Sequence, residues 1–230
     1  MNWGWIGSNG ELIWGRVLEH LALCAPPIVI GFLISIPLGY WASRNRIARS
    51  VLLVVGNIIY TIPAFALLVL VPVVLNGAIL DPNNLVIALT LYALALMIRV
   101  SADAFAAVPA DIRASATAVG YSAWQRFFAV ELPLAGPVLL AGVRVVSVST
   151  VSLASVGALT GIDNLGSFFT DAFQRQFPTE AIVGIVAVLL IAGVFDAILN
   201  VIGRILMPWR PRAVVQRPGW LRTPGTVSGA

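Results

Sequence analysis

The chain has 230 residues, of which 59% are hydrophobic and 10% charged, whereas a soluble domain of this size is closer to half apolar and a quarter charged. This composition excludes an ordinary soluble domain and indicates that lipid covers part of the apolar surface. The formal net charge of +4 comes from 14 arginines and no lysine. Because the arginines lie between long apolar runs, they indicate topology signals at a membrane surface rather than a nucleic-acid site.

Few residues are available for site chemistry. The single cysteine, Cys24, and the single histidine, His20, exclude an internal disulfide and a Cys/His zinc cluster, and we predict no metal site. We expect Cys24 to be a packed core residue and His20 to lie at the membrane interface, at the mouth of the first helix. A phosphate-binding loop of the G-x-x-x-x-G-K-[ST] type needs a lysine. Any ATP and Mg must therefore be bound by another subunit, and we predict no cofactor on this chain.

Five apolar stretches approach or exceed the roughly 20 residues that a helix needs to cross the hydrocarbon core. They predict an all-α integral membrane fold with about five transmembrane helices. The third stretch is short, but residues 101–108 can extend it, and the second carries Pro63 and Pro72, which membrane helices tolerate as kinks. The predicted spans are Leu18–Trp41, Val51–Leu75, Leu85–Val100, Pro137–Leu159 and Ala181–Met207.

The distribution of arginines predicts the orientation. With five spans, Arg16 and Arg175 fall on one side, Arg144 lies inside the fourth span, and the remaining eleven arginines share the other side. The positive-inside rule then places the N-terminus outside and the C-terminus in the cytoplasm. We predict an outer interfacial segment over residues 1–17, a permease domain over 18–207 and a disordered cytoplasmic tail over 208–230.

The segment between the third and fourth spans, Ala110–Pro137, is long and patterned like two short helices. Gly120 suits the end of the first helix. Ser122 can cap the second helix, with Gln125 completing a capping box, and we expect Pro133 and Pro137 to end that helix before the fourth span. The sequence thus predicts a helix-turn-helix loop over residues 110–133 on the cytoplasmic face.

This loop resembles the EAA motif of permeases in binding-protein-dependent ABC importers, in which E-A-A is followed by three residues, Gly, nine residues and I-x-L-P. The spacing matches throughout, with Ala114 in place of the usual Glu and Ser115 in place of the usual Ala. The resemblance implies that the loop couples the chain to an ATPase. The implied coupling residues are Ala114, Ser115, Ala116, Gly120, Tyr121, Trp124, Val130, Leu132 and Pro133.

Three further segments resemble the glycine betaine/carnitine/choline branch of these permeases: IIYTIPAFALL (58–68), ELPLAGPVLLAGVR (131–144) and the turn at 161–166. The resemblance implies a non-enzymatic subunit of the bacterial inner membrane that translocates a small osmoprotectant. It also implies a second permease, identical or paralogous, two cytoplasmic ATPases and an extracytoplasmic binding protein.

Two groups of residues are candidates for the translocation pathway. Tyr60, Thr61, Pro63 and Phe65 lie at the kinked point of the second span, where an aromatic face can attract a quaternary ammonium group by cation–π interaction. Hydroxyls of the fourth span, such as Ser149 and Thr150, can also line a pathway. Helix packing is the alternative explanation for both groups.

Arg144 and Asp196 are ionisable residues within predicted spans. Because a lone charge in hydrocarbon is costly, we expect them to pair, although Arg144 can instead extend to the headgroups.

Other function classes remain open to different degrees. An ABC permease for another solute, such as an amino acid, fits the same features. A stand-alone channel or secondary carrier often shows several ionisable groups in the membrane and inverted repeats, and no repeat is visible here. An intramembrane enzyme is disfavoured, because the chain contains neither H-E-x-x-H nor G-x-S-x-G.

Overall fold

The computed structural model describes residues 2–78 and 80–209, and it confirms the predicted all-α fold. The described residues form ten α-helices, a π-helical turn over Phe127–Glu131 and a 3-10 helix over Ser155–Thr160. The α-helices are α1 Trp3–Ser8, α2 Gly10–Arg44, α3 Arg46–Thr61, α4 Ala64–Leu75, α5 Pro82–Ala106, α6 Ala110–Ala118, α7 Ala123–Arg126, α8 Leu132–Ala154, α9 Ser167–Arg175 and α10 Pro178–Leu206.

Four helical segments are long and apolar enough to cross a membrane: α2, α5, the continuous segment Ala123–Thr160, and α10. The second predicted span, Val51–Leu75, is not one kinked helix, and that part of the prediction is wrong. It consists of α3 and α4, which meet at a bend of 106°. Pro63 has no N–H to continue the helical ladder, and Ile62 before it has the extended backbone that a following proline favours (φ −66°, ψ 129°).

The bent pair accounts for a fifth crossing. Helices α2 and α5 run in the same direction, because Gly31 lies against Ala93 and, further along both helices, the hydroxyl of Ser101 donates to that of Ser35 at 3.2 Å. The chain between two parallel helices must return across the bundle. Since α3 and α4 are the elements that make this connection, the topology agrees with five crossings.

One end of the bundle is rich in arginine, and we call it the arginine-rich end. Helices α2, α5 and α10 end here, α3 and α8 begin here, and α6 and α7 lie beyond it. Its arginines among the described residues are Arg44, Arg46, Arg49, Arg113, Arg126 and Arg204. At the opposite end, the N-terminal α1 packs against the start of α10 through the rings of Trp5 and Phe177, 5.9 Å apart.

Helix α5 lies at the centre of the bundle and packs against α2, α3, α4 and α8. Cys24 is buried in this core, as predicted. The interfacial placement of His20 is wrong: α2 begins ten residues earlier, at Gly10, so His20 lies inside the bundle. Its ring is fully buried, with Nε2 3.0 Å from the carbonyl oxygen of Val151 in α8. The predicted disordered tail falls outside the described residues except for Pro208 and Trp209.

Candidate functional site

The predicted helix-turn-helix is present at the arginine-rich end. Helix α6 ends at a turn in which Gly120 has φ +99°. The N–H of Gly120 donates to the carbonyl of Thr117 at 3.0 Å, and the N–H of Tyr121 donates to that of Ala116 at 3.1 Å. These two bonds form a Schellman motif, which a glycine accommodates at little steric cost.

The second helix of the hairpin begins as predicted and ends differently. Ser122 and Gln125 form the expected capping box. However, Pro133 and Pro137 do not end the helix, because α7 continues through the π-helical turn into α8. Pro133 lies in the first turn of α8. The π-helical turn directly before it is wider than an α-helical turn, and in it the N–H of Leu132 donates to the carbonyl of Phe127. Pro133 has no N–H to donate, and it follows the π-helical turn at which the helical hydrogen-bond pattern changes.

The outer surface of this hairpin, residues 110–126, is exposed and partly apolar. Helix α6 has no buried residue. Val119 and Trp124 are 79% and 73% exposed, and Tyr121 is exposed beside them. Of the predicted coupling residues, the exposed ones are Ala114, Ser115, Gly120, Tyr121 and Trp124, and the partly buried ones are Ala116, Val130, Leu132 and Pro133.

Glu131 was not identified from the sequence, although it lies inside the matched motif. Its side chain is fully buried, and its two carboxylate oxygens accept hydrogen bonds from Arg44 at the end of α2 and from Nε of Arg126 at 2.9 Å. Arg126 also donates through Nη1 to the hydroxyl of Thr117 in α6 at 2.8 Å. One carboxylate therefore joins the end of the first span to both hairpin helices. The available sequence signal was an isolated acid within the apolar stretch 127–143.

Aromatic packing makes a second connection between the hairpin and the spans. Phe127 is half-buried, with ring centroids 4.7 Å from Tyr40 in α2 and 5.7 Å from Phe105 in α5. The guanidinium of Arg44 lies 5.0 Å from the centre of the Tyr40 ring, within cation–π range. The ends of α2 and α5 are therefore fixed to the base of the hairpin.

The first group of predicted pathway residues lies at the break between α3 and α4. Tyr60, Thr61, Pro63 and Phe65 are all exposed on the single chain, with Tyr60 at 50%. The carbonyl oxygen of Ile62, which the proline leaves outside the helical ladder, accepts a hydrogen bond from the hydroxyl of Tyr92 in α5. The break is therefore a stabilised feature of the fold, and it presents polar and aromatic side chains.

The second group of predicted pathway residues lies on α8. Thr150 is buried and Ser149 is half-buried. Helix α8 packs against α5, α2 and α10, whereas α3 packs against α5 and α2. The two predicted groups therefore lie on different helices, all of which pack against α5.

Arg144 and Asp196 form the predicted ion pair between α8 and α10. Nε and Nη2 of Arg144 donate to Oδ1 and Oδ2 of Asp196 at 2.6 and 2.8 Å, which is a bidentate geometry. The two side chains are 35% and 38% exposed on the single chain. The pair therefore lies at the surface of the bundle, within two membrane-spanning helices.

Known proteins with similar sequences are membrane permeases. The chain is 27% identical over 207 residues to a carnitine transport permease protein of Listeria monocytogenes, covering 90% of this chain and 88% of the relative. It is 27% identical over 207 residues to a glycine betaine/carnitine/choline transport system permease protein of Bacillus subtilis, covering 90% of this chain and 86% of that one.

The fold is also similar to that of a solved transporter. A chain from the MetNI methionine ABC transporter in inward-facing conformations superposes with a TM-score of 0.75 at 20% identity, over 86% of this chain and 98% of the other. The family described as binding-protein-dependent transport system inner membrane component matches residues 23–210. The chain therefore belongs to this family and is a membrane transport subunit rather than an enzyme.

Proposed function

We propose that this chain is the permease subunit of an ATP-driven importer for a quaternary-ammonium osmoprotectant of the glycine betaine, carnitine or choline type. The observation that carries the substrate class is the likeness to relatives named for these solutes, which extends over about nine-tenths of the chain. The observation that supports ATP-driven import is the exposed hairpin at the arginine-rich end.

We place the arginine-rich end in the cytoplasm, in line with the positive-inside rule. The exposed apolar residues Val119, Tyr121 and Trp124 then form a docking surface for an ATPase. The proposed assembly contains two permease subunits and two ATPases, which bind ATP and Mg, with a solute-binding protein at the opposite end. Because this chain has no lysine for a phosphate-binding loop, nucleotide binding is assigned to the partner.

In this proposal, the hairpin transmits movement of the ATPase to the spans. Glu131 ties the hairpin to α2 through Arg44, and Phe127 ties it to both α2 and α5. A displaced hairpin would therefore move the ends of two crossings together. Small shifts at a packed interface can be amplified in this way when the interface has two alternative arrangements.

We assign the break between α3 and α4 to the translocation pathway. A broken helix with exposed polar groups is unfavourable against lipid and is tolerated where it lines a cavity or another protein surface. Tyr60 offers an aromatic face that weakly attracts a quaternary ammonium group. Ser149 and Thr150 stay candidates for a part of the pathway that opens between helices.

The test is the purified complex of this chain with its ATPase and binding protein, reconstituted in liposomes. We expect glycine betaine, carnitine or choline to stimulate ATP hydrolysis and to accumulate inside. Stimulation by amino acids alone would show that the chain belongs to an ABC importer for a different solute. Solute uptake without ATP would show that the chain acts as a secondary carrier.

A further inference from the structure

Arg99 is exposed within a membrane-spanning helix and has no carboxylate partner among residues 2–78 and 80–209. It lies on α5, seven residues before the end of that helix at Ala106. Its Nη2 donates to Oδ1 of Asn57 in α3 at 2.9 Å. The sequence pattern accounts for Arg99 only as one of the eleven arginines on the predicted cytoplasmic side.

The contacts between α3 and α5 show which way the Arg99 side chain extends. The two helices are antiparallel, because Arg49 pairs with Asp103 and Gly56 faces Ala95. Arg99 is therefore level with residues 52–53 of α3, whereas Asn57 lies four to five residues further from the arginine-rich end. This difference in level is roughly 6 to 7.5 Å, and the side chains of Arg99 and Asn57 span it together through their hydrogen bond, so the guanidinium points toward the middle of the bundle.

This direction is opposite to that of an arginine that extends to the headgroups. A long basic side chain in a lipid-facing position normally places its charge toward the nearer membrane surface. A charged group that faces the membrane interior lines a water-filled cavity or a protein contact in most cases. The orientation of Arg99 therefore indicates that the surface beside the break between α3 and α4 faces a hydrated cavity or another protein surface rather than lipid.

We propose that Arg99 binds the carboxylate of a zwitterionic solute in the translocation pathway, with Asn57 holding its guanidinium in place. This inference rests on the proposed function and adds the part of the solute that is recognised. A guanidinium offers a planar fork of N–H groups that fits a carboxylate in two hydrogen bonds. An arginine whose charge no carboxylate balances repels a solute that carries only a positive charge.

The geometry provides for the positive end of the solute as well. Asn57 and Tyr60 lie about one turn apart on α3, which is roughly 5 Å of helix rise. Tyr60 is the nearer of the two to the break, and its ring centroid lies 5.8 Å from that of Tyr92. A short zwitterion with its carboxylate at Arg99 therefore places its quaternary ammonium group beside Tyr60. Glycine betaine and carnitine fit this arrangement, whereas choline has a hydroxyl in place of the carboxylate.

The first test measures uptake of glycine betaine, carnitine and choline by the reconstituted complex containing the wild-type chain, Arg99→Gln or Arg99→Lys. For Arg99→Gln, we expect uptake of the two carboxylate-bearing solutes to fall about tenfold relative to choline, the loss expected when a site loses its charged hydrogen-bond partner. Arg99→Lys keeps the charge without the planar fork, so the uptake of the two carboxylate-bearing solutes relative to choline should lie between the wild-type and the Arg99→Gln values. Arg204→Gln is the matched control, since it removes an exposed arginine near the arginine-rich end.

The second test does not depend on delivery by the binding protein. In a Thr61→Cys chain, we expect glycine betaine to slow modification of the thiol by a small water-soluble reagent, and choline to slow it less. Adding Arg99→Gln should abolish this difference. Equal losses of all three solutes with unchanged assembly would assign Arg99 a structural role and overturn the inference. Equal protection by glycine betaine and choline would overturn it too. If the wild-type complex takes up none of the three solutes, the proposed function fails instead.

Discussion

Nε of Arg126 donates to Oε1 of Glu131 at 2.9 Å, while Arg44 occupies the second oxygen of the same carboxylate. The side chain of Glu131 is fully buried, whereas that of Arg44 is 34% exposed, so the two arginines shield the carboxylate from water. Arg126 belongs to the hairpin and Arg44 to the end of the first crossing. The orientation of the hairpin relative to α2 therefore depends on one buried negative charge.

The first prediction is that Glu131→Gln weakens coupling between ATP hydrolysis and transport. The amide keeps the shape of the side chain, but it removes the charge and places an N–H₂ group opposite an arginine. We expect solute uptake per ATP hydrolysed to fall roughly tenfold, in line with the about 1.5–3 kcal/mol that a hydrogen bond to a charged group contributes. Glu11→Gln, which removes an exposed acid at the opposite end, should leave this ratio unchanged. A normal ratio for Glu131→Gln would restrict Glu131 to a packing role.

The second prediction concerns the turn of the hairpin. Gly120 has φ +99°, and a Cβ added there would meet open space. Any effect of Gly120→Val therefore comes from backbone strain, because a β-branched residue strongly disfavours positive φ. We expect normal insertion, a large loss of uptake, and ATPase activity that falls or becomes independent of the binding protein. Gly7→Val, at another open position, is the control. Unchanged uptake with an assembled complex would make Gly120 a dispensable connector.

Local signals predicted the hairpin, because its geometry depends on neighbouring residues. The glycine at 120 and the Ser122–Gln125 capping box are sufficient to place both helices. The break at Ile62 and the π-helical turn before Pro133 were missed, because both depend on how a proline is accommodated by its surroundings. Tyr92, thirty residues from Ile62, binds the freed carbonyl. The partners of Glu131 were equally inaccessible, since Arg44 is separated from it by 87 positions.

The third prediction separates the two aromatic residues of the hairpin. Trp124 is largely exposed, although its ring contacts that of Phe128 at 4.8 Å. Trp124→Ala should therefore lower the stability of the isolated chain by no more than about 1 kcal/mol and reduce co-purification of the ATPase. Phe127 packs against Tyr40 and Phe105, so Phe127→Ala should lower stability, toward the lower end of the about 3–5 kcal/mol typical of buried Phe→Ala changes. Each variant serves as the control for the other. A larger loss of stability in Trp124→Ala with full ATPase binding would contradict the proposed docking surface.

The fourth prediction concerns the bidentate pair of Arg144 and Asp196. Removing one partner leaves an unpaired charge within the membrane, whereas replacing both leaves none. We therefore expect Arg144→Met and Asp196→Leu each to lower the yield and melting temperature of the detergent-purified chain. The double variant should recover most of the loss. A double variant no better than the worse single one would show that the ion pair itself, rather than charge balance, is required.

The fifth prediction tests whether the break between α3 and α4 faces water. Thr61 at the break and Leu190 near the middle of α10 are both exposed on the single chain, but only Thr61 belongs to the proposed pathway. The thiolate is the nucleophile that attacks a thiol reagent, and it forms readily only in a hydrated environment. In liposomes, a charged reagent should therefore modify Thr61→Cys at least about tenfold faster than Leu190→Cys, since ionisation of a thiol is suppressed in apolar surroundings.

The native Cys24 allows this comparison without further substitutions. It is fully buried in the core, so the wild-type chain should stay unmodified and provides the background rate. ATP and binding protein should change the rate at Thr61→Cys, because opening and closing of the pathway alters its access to water. They should not change the rate at Leu190→Cys, which lies outside the proposed pathway. Equally slow modification at both positions would place the break against lipid or a tight subunit contact, and the pathway would then have to run elsewhere.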